Sequence, residues 1–369
     1  MNERFPLTCW TVSPIALNPI QPRYCAVPGF VILLATLLTA APVLAQDPLP
    51  LVTGLQRDVI FSAYSPLSRS LELARRTLSP LANVEVARVA AQLRPQAIDL
   101  TQETFSMYVP TQPASKGYGL IVFIPPWQDA RLPPGWDAVL NETGMIFITA
   151  AKSGNEANVI DRRMPLALLG AYNVMQRYPI DSDRVYIGGF SGGSRVAMKV
   201  ALAYPDLFHG ALLNAGSDPI GNREAIMPPD DLFAQFQSSS RLVYVTGSSD
   251  SWNIEHDTVS RDSMNVWCVF GTRVETMLRA GHEVATPSSL RRALFALDQR
   301  APLDPNKLSA CRARQAMVMA TELNNVQQLL DHAKPRDAWH SLNKIDAHYG
   351  GLASAAIIEF AQRIGSEHY

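Results

Sequence analysis

The sequence predicts an α/β fold, a mostly parallel sheet with helices on both faces. The first observation is a recurrence of short runs rich in β-branched and aromatic residues. They are Leu120-Ile121-Val122-Phe123-Ile124, Met145-Ile146-Phe147-Ile148, Val185-Tyr186-Ile187 and Leu242-Val243-Tyr244-Val245, with Ala211-Leu212-Leu213 as a weaker one. The second is that these runs lack the polar alternation of a half-exposed strand, as strands covered on both faces do. The third is the amphipathic stretches between them, such as Pro165 to Met175 and Arg195 to Leu202, each followed by a Tyr-Pro pair that stops a helix.

Composition narrows the partners. Of 369 residues, 47% are hydrophobic and 18% charged, which suffices for one large core or two modest ones. Lys plus Arg total 32 against 33 Asp plus Glu, a formal net charge of -1. No basic field is available to hold nucleic acid or an acidic membrane surface, so the expected partner is small or neutral.

Residues 1–45 read as a signal peptide. The apolar run from Phe30 to Leu38 follows Arg23 and leads into Val43-Leu44-Ala45, a small-residue cleavage pattern before Gln46. The run is shorter than the ~20 residues a spanning helix needs, so no membrane span is expected in the mature chain. An uncleaved anchor is the competing reading. Export, to the periplasm or outside the cell, then bears on the four cysteines. Cys9 and Cys25 leave with the leader, and Cys268 and Cys311 remain as a disulfide candidate; two unrelated buried thiols stay open as the alternative. No cysteine lies in a metal-ligand spacing, and neither a metal nor a cofactor is expected.

Around this centre lie helical flanks. Residues 46–97 read as an N-terminal helical extension, with Leu71, Ala74 and Leu78 on one face and Val86, Val89, Ala90 and Leu93 repeating that spacing. Residues 98–303 hold the strand rhythm. Residues 304–369 read as a C-terminal helical appendage packed on it, through stripes such as Ala316, Met319, Leu323, Val326 and Leu330. The Pro-containing segment from Ser217 to Ser240 reads as a small lid or a plain surface loop.

The strongest local signal is Gly189-Phe190-Ser191-Gly192-Gly193, which fits G-x-S-x-G directly after a strand-like run and before a helical one. A serine held at a sharp strand-to-helix turn needs small neighbours, and glycines supply the room. A serine hydroxyl is a weak nucleophile at neutral pH, so the reading requires a histidine base and a carboxylate that orients it. In this kind of sheet they follow in the order Ser, acid, His. Asp250 stands just past the run ending at Val245, and His282 follows a weak strand-like stretch, Val274 to Leu278. Asp257 is the reserve acid. His256 is too close to Asp250 to follow another strand.

An oxyanion hole is expected from the backbone N–H of Gly192 and one from the loop Pro125-Pro126-Trp127-Gln128. The prolines have no N–H, so Trp127 is the first residue able to contribute, and its ring offers an apolar wall. Phe190 and Trp252, beside the nucleophile and the acid, are expected to line the substrate.

The elbow, the acid after Thr246-Gly247-Ser248-Ser249 and the stretch Gly281-His282-Glu283-Val284 together resemble the α/β-hydrolases over roughly residues 98 to 300. Within that superfamily the chain most resembles the secreted esterase group of polyhydroxybutyrate depolymerase-like and feruloyl-esterase-like proteins. The resemblance implies ester hydrolysis through an acyl-enzyme, with Ser191, Asp250 and His282 in the family roles and a small-molecule or oligomeric ester as substrate. Many members carry a His-Gly pair where this chain has Pro125-Pro126-Trp127, and no polymer-binding domain is visible. A serine peptidase of the same fold, or a non-catalytic binding protein on this scaffold, are the alternatives.

Overall fold

In a computed structural model, which describes residues 52–299 and 303–366, the strands are β1 (Gly54–Val59), β2 (Phe105–Val109), β3 (Tyr118–Ile124), β4 (Met145–Ala150), β5 (Ile180–Phe190), β6 (Gly210–Asn214), β7 (Arg241–Gly247) and β8 (Thr272–Met277). They form one eight-stranded sheet in the order β1-β2-β4-β3-β5-β6-β7-β8. β2 runs antiparallel to both its neighbours and all other pairs are parallel. This is the α/β-hydrolase fold. The expected signal peptide lies outside the described residues.

The helices are α1 (Ser70–Thr77), α2 (Pro80–Arg88), α3 (Trp136–Thr143), α4 (Met164–Arg177), α5 (Gly192–Ala203), α6 (Asp230–Ser239), α7 (Ser251–Val266), α8 (Pro287–Asp298), α9 (Pro305–Asp331), α10 (Pro335–Tyr349) and α11 (Ser354–Ser366). None among the described residues is long and apolar enough to cross a membrane.

The strand pleat explains the unbroken apolar runs. Leu120, Val122 and Ile124 enter one core cluster while Ile121 and Phe123 enter the other, and Leu242 and Tyr244 part from Val243 and Val245 in the same way. The larger core packs against α4 through Leu166 and Leu169, and against α5 through Val196 and Val200. The smaller is closed by Trp136 and Leu140 of α3 and Leu290 and Leu294 of α8. Each such side chain contributes roughly 1.5–3 kcal/mol by leaving water.

Both flanks join the larger core. Val326, Leu342, Tyr349, Ile357 and Ile364 of the C-terminal helices share one cluster with Leu73 of α1 and the sheet. Asp346 of α10 accepts from Ser79 Oγ at 2.5 Å and from the Leu81 N–H at 3.0 Å, so the start of α2 is tied to the far end of the chain. The described residues all fall in one compact unit, Pro50–Tyr369.

Two expectations need correction, and one strand was missed. The stretch read as helical from residue 46 also contains β1, which pairs with β2 at the sheet edge. β2 itself gave no strand signal. The segment from Ser217 to Ser240 is not a lid: Ile220, Met227, Phe233 and Phe236 are buried in the larger core, and the N–H of Gly351, in the turn after α10, bonds Met227 O.

A disulfide joins Cys268, just past α7, to Cys311 on α9, with Cα atoms 5.8 Å apart.

Candidate active site

The sharp turn is present as the sequence requires. β5 ends at Phe190, Ser191 adopts φ 55° and ψ -124°, and α5 starts at Gly192. A positive φ strains any residue bearing a Cβ and persists only where the surroundings enforce it. Here two glycines do so. A Cβ on Gly189 would collide with the main chain of Gly193, and one on Gly193 would collide with the Ile124 carbonyl at the end of β3. Ser191 also donates its N–H to Asn214 O at 2.9 Å.

His282 sits on the loop after β8. Its Nε2 lies 2.9 Å from Ser191 Oγ, and its Nδ1 lies 2.8 Å from Asp250 Oδ2. With the carboxylate accepting, Nδ1 carries the proton and Nε2 is left to accept from the hydroxyl, an assignment made from the hydrogen-bond network. The imidazole side chain is 45% exposed, so the relay opens to solvent and to a ligand. Phe190 packs on it, the ring centroids 4.9 Å apart.

Asp250 ends the β7 loop and is the N-cap of α7, where it accepts from the Asn253 N–H. The turn role and the place in the relay belong to one residue. Burial pushes its carboxyl up, but hydrogen bonds from His282 and Asn253 outweigh this and hold it below the ordinary carboxylate range. The reserve acid is engaged elsewhere: Asp257 accepts from Ser217 Oγ and Thr246 Oγ1, both at 2.5 Å, and burial outweighs those bonds and raises its pKa. His256 contacts Trp252 O at 2.8 Å and stacks on that indole.

The remaining expected residues lie around the relay. Gly192 is the first residue of α5, where an N–H has no intrahelical acceptor. Trp127 packs its ring 6.2 Å from Phe190 and beneath the Arg131 guanidinium, and its indole Nε1 is buried with no partner among the described residues. Trp252 is 57% exposed and contacts Arg195 and His256 near the start of α7. Among the described residues no group of His, Cys, Asp and Glu could hold a metal ion.

Two asparagines were not foreseen. Asn253 donates Nδ2–H to Asp250 Oδ2 at 2.8 Å, sharing that oxygen with the imidazole. Asn214, fully buried at the end of β6, donates to Val245 O and Glu283 O and accepts from the Ala285 N–H at 2.6 Å. From the other side, Trp136 Nε1 donates to Ala285 O, so the histidine loop is held between β6 and α3. A polar residue at a strand end beside the elbow was the available signal for Asn214.

No protein-family model and no curated protein sequence matches the chain. Solved structures do. An S-formylglutathione hydrolase from Staphylococcus aureus is similar at 14% identity over 53% of this chain and 93% of that one, with a TM-score of 0.41. A ferulic acid esterase is similar at 14% identity over 53% of this chain and 92% of that one, TM-score 0.40. Dipeptidyl peptidase 4 of Porphyromonas gingivalis is similar at 14% identity over 54% of this chain and 34% of that one, TM-score 0.38. A dipeptidyl aminopeptidase IV from Bacteroides ovatus is likewise matched over only 33% of its own length.

Proposed function

We propose that the protein is a serine hydrolase that cleaves carboxylic esters through an acyl-enzyme. The observation that carries the reading is the continuous relay from Ser191 Oγ through His282 to Asp250, at 2.9 and 2.8 Å, with the serine held at positive φ. In this reading Ser191 Oγ attacks the ester carbonyl carbon while its proton passes to His282 Nε2. The carbonyl oxygen becomes an oxyanion and is met by the N–H groups of Gly192 and Trp127. Collapse breaks the bond to the alcohol, which leaves with the proton from His282. Water then repeats the sequence, releasing the acid and restoring the serine. Asp250 keeps the imidazole in the productive tautomer and stabilises its positive charge.

Phe190 and the Trp127 ring supply the apolar border, so the substrate is a small-molecule or oligomeric ester with an apolar group beside the carbonyl. Export fits the Cys268–Cys311 bridge, since disulfides persist in oxidising compartments.

The test is turnover of short aryl esters, feruloyl esters, hydroxybutyrate oligomers and peptides by the purified protein. Faster cleavage of esters than of matched amides supports an esterase. Cleavage of peptides alone assigns a peptidase, and no Ser191-dependent turnover of any of them leaves a binding protein.

A further inference from the structure

The loop that carries Trp127 is braced from one side by donors outside it. Asn155 N–H bonds Pro126 O at 3.1 Å and Lys152 N–H bonds Gln128 O at 2.6 Å. A third donor reaches Pro125 O: the Nη2 of Arg163, at 3.0 Å. Arg163 also donates Nε–H to Ser153 O at 3.0 Å, so one planar guanidinium ties the loop to the segment that straps it.

The placement of this arginine is costly. Its side chain is 3% exposed, and the acceptors it meets are main-chain carbonyls rather than carboxylates. A buried cation answered only by dipoles is expensive to keep, and burial lowers its pKa to about 10, which still leaves it charged at neutral pH. The backbone is arranged to deliver it. Val159–Arg163 form one turn of π-helix ahead of α4, and such turns recur at functional sites. The preceding Arg162 bonds Lys152 O at 2.7 Å while its other nitrogens are held by Glu103. Lys152 itself has φ 53°, a strained conformation that these bonds maintain.

The consequence falls on one N–H. No peptide among the described residues is cis, and in a trans peptide the carbonyl of one residue and the N–H of the next point in opposite directions. With Pro126 O drawn to Asn155, the Trp127 N–H faces away from the strapping segment. The geometry points to Arg163 as a positioning residue that fixes the Trp127 N–H as an oxyanion donor for the Ser191 reaction. The inference rests on the hydrolase reading above.

Arg163→Lys keeps a charge but can reach only one carbonyl, and Arg163→Gln removes the charge. A short-chain aryl ester reports kcat and KM, and phenylboronic acid, which forms a tetrahedral anion on a serine oxygen, reports oxyanion binding. The expected result is a kcat on the order of 10-fold lower for Arg163→Lys and lower again for Arg163→Gln, with KM within about twofold of the parent. Boronate affinity falls by the same factor as kcat. Should Arg163→Gln fail to fold, Arg163→Lys decides alone. A lowered melting temperature with kcat and boronate affinity unchanged gives Arg163 a purely structural role and overturns the inference, while the hydrolase reading stands. Parent protein lacking hydrolysis that Ser191→Ala removes overturns both.

Discussion

Asn214 accepts the Ser191 N–H on its main-chain oxygen and grips the histidine loop with its side chain, bonding Ala285 N–H at 2.6 Å and Glu283 O at 3.3 Å. One buried residue therefore sets the distance between the serine turn and the loop bearing His282. Replacing it with leucine keeps the volume roughly but strands the Ala285 N–H. An unsatisfied buried donor costs about 1–3 kcal/mol, and Asn214→Leu is expected to lose that much stability in urea. Its kcat on an aryl ester should fall at least on the order of 10-fold, since small displacements of a base are costly. A variant with parent kcat would show that the loop is positioned without it.

Asn253 acts on the acid. Burial raises the Asp250 pKa, but the bond from His282 and then those from Asn253 favour the ionised carboxyl and leave it lowered; such a group adds stability that is present above its unfolded value, about 4, and lost as pH falls through the folded one. Asn253→Ala removes part of that stabilisation. The melting temperature gap between parent and variant should be full at pH 7 and shrink below about pH 4. A gap independent of pH would assign Asn253 to packing alone.

The elbow glycines should differ in their tolerance. A Cβ on Gly193 meets the fixed Ile124 carbonyl, whereas one on Gly192 meets the end of the exposed Asn155 side chain, which can swing aside. Gly193→Ala is expected to cost about 1–3 kcal/mol, with a matching loss of activity, and Gly192→Ala under about 1 kcal/mol. Equal costs for the two in denaturant titrations would contradict this account of the turn.

The disulfide spans 43 residues and sits at the end of α7 opposite Asp250. Loop-closure entropy predicts that Cys268→Ser with Cys311→Ser lowers stability by about 4 kcal/mol, or less if the reduced chain retains structure. Turnover at 25 °C should remain near the parent value. Loss of activity in a variant that stays folded would mean that the bridge positions the acid.

Strands covered on both faces were legible in the sequence because they are continuous apolar runs, and β3, β4, β6 and β7 appear where those runs stand. β1 was hidden by Gln56, Arg57 and Asp58 and by the register shift between Gln56 and Val59, as befits an edge strand. β2 was hidden by Ser106, a polar residue buried because its hydroxyl bonds Ala130 O. Ser191, Asp250 and His282 could be named from a motif and a chain order. Asn214 left only the weak signal of a polar residue at a strand end, Asn253 is an ordinary residue in the first turn of α7, and Arg163 meets carbonyls of other segments that no local pattern reveals.

The central claim is that Ser191 is the nucleophile, activated by His282. Intact-mass analysis after exposure to an aryl phosphonate tests it most directly, run on the parent, Ser191→Ala and His282→Ala, each shown folded by circular dichroism. The account predicts one phosphonyl adduct mapped to Ser191 in the parent, none in Ser191→Ala, and labelling slowed by orders of magnitude in His282→Ala. An undiminished adduct in Ser191→Ala, or labelling indifferent to His282, would contradict it.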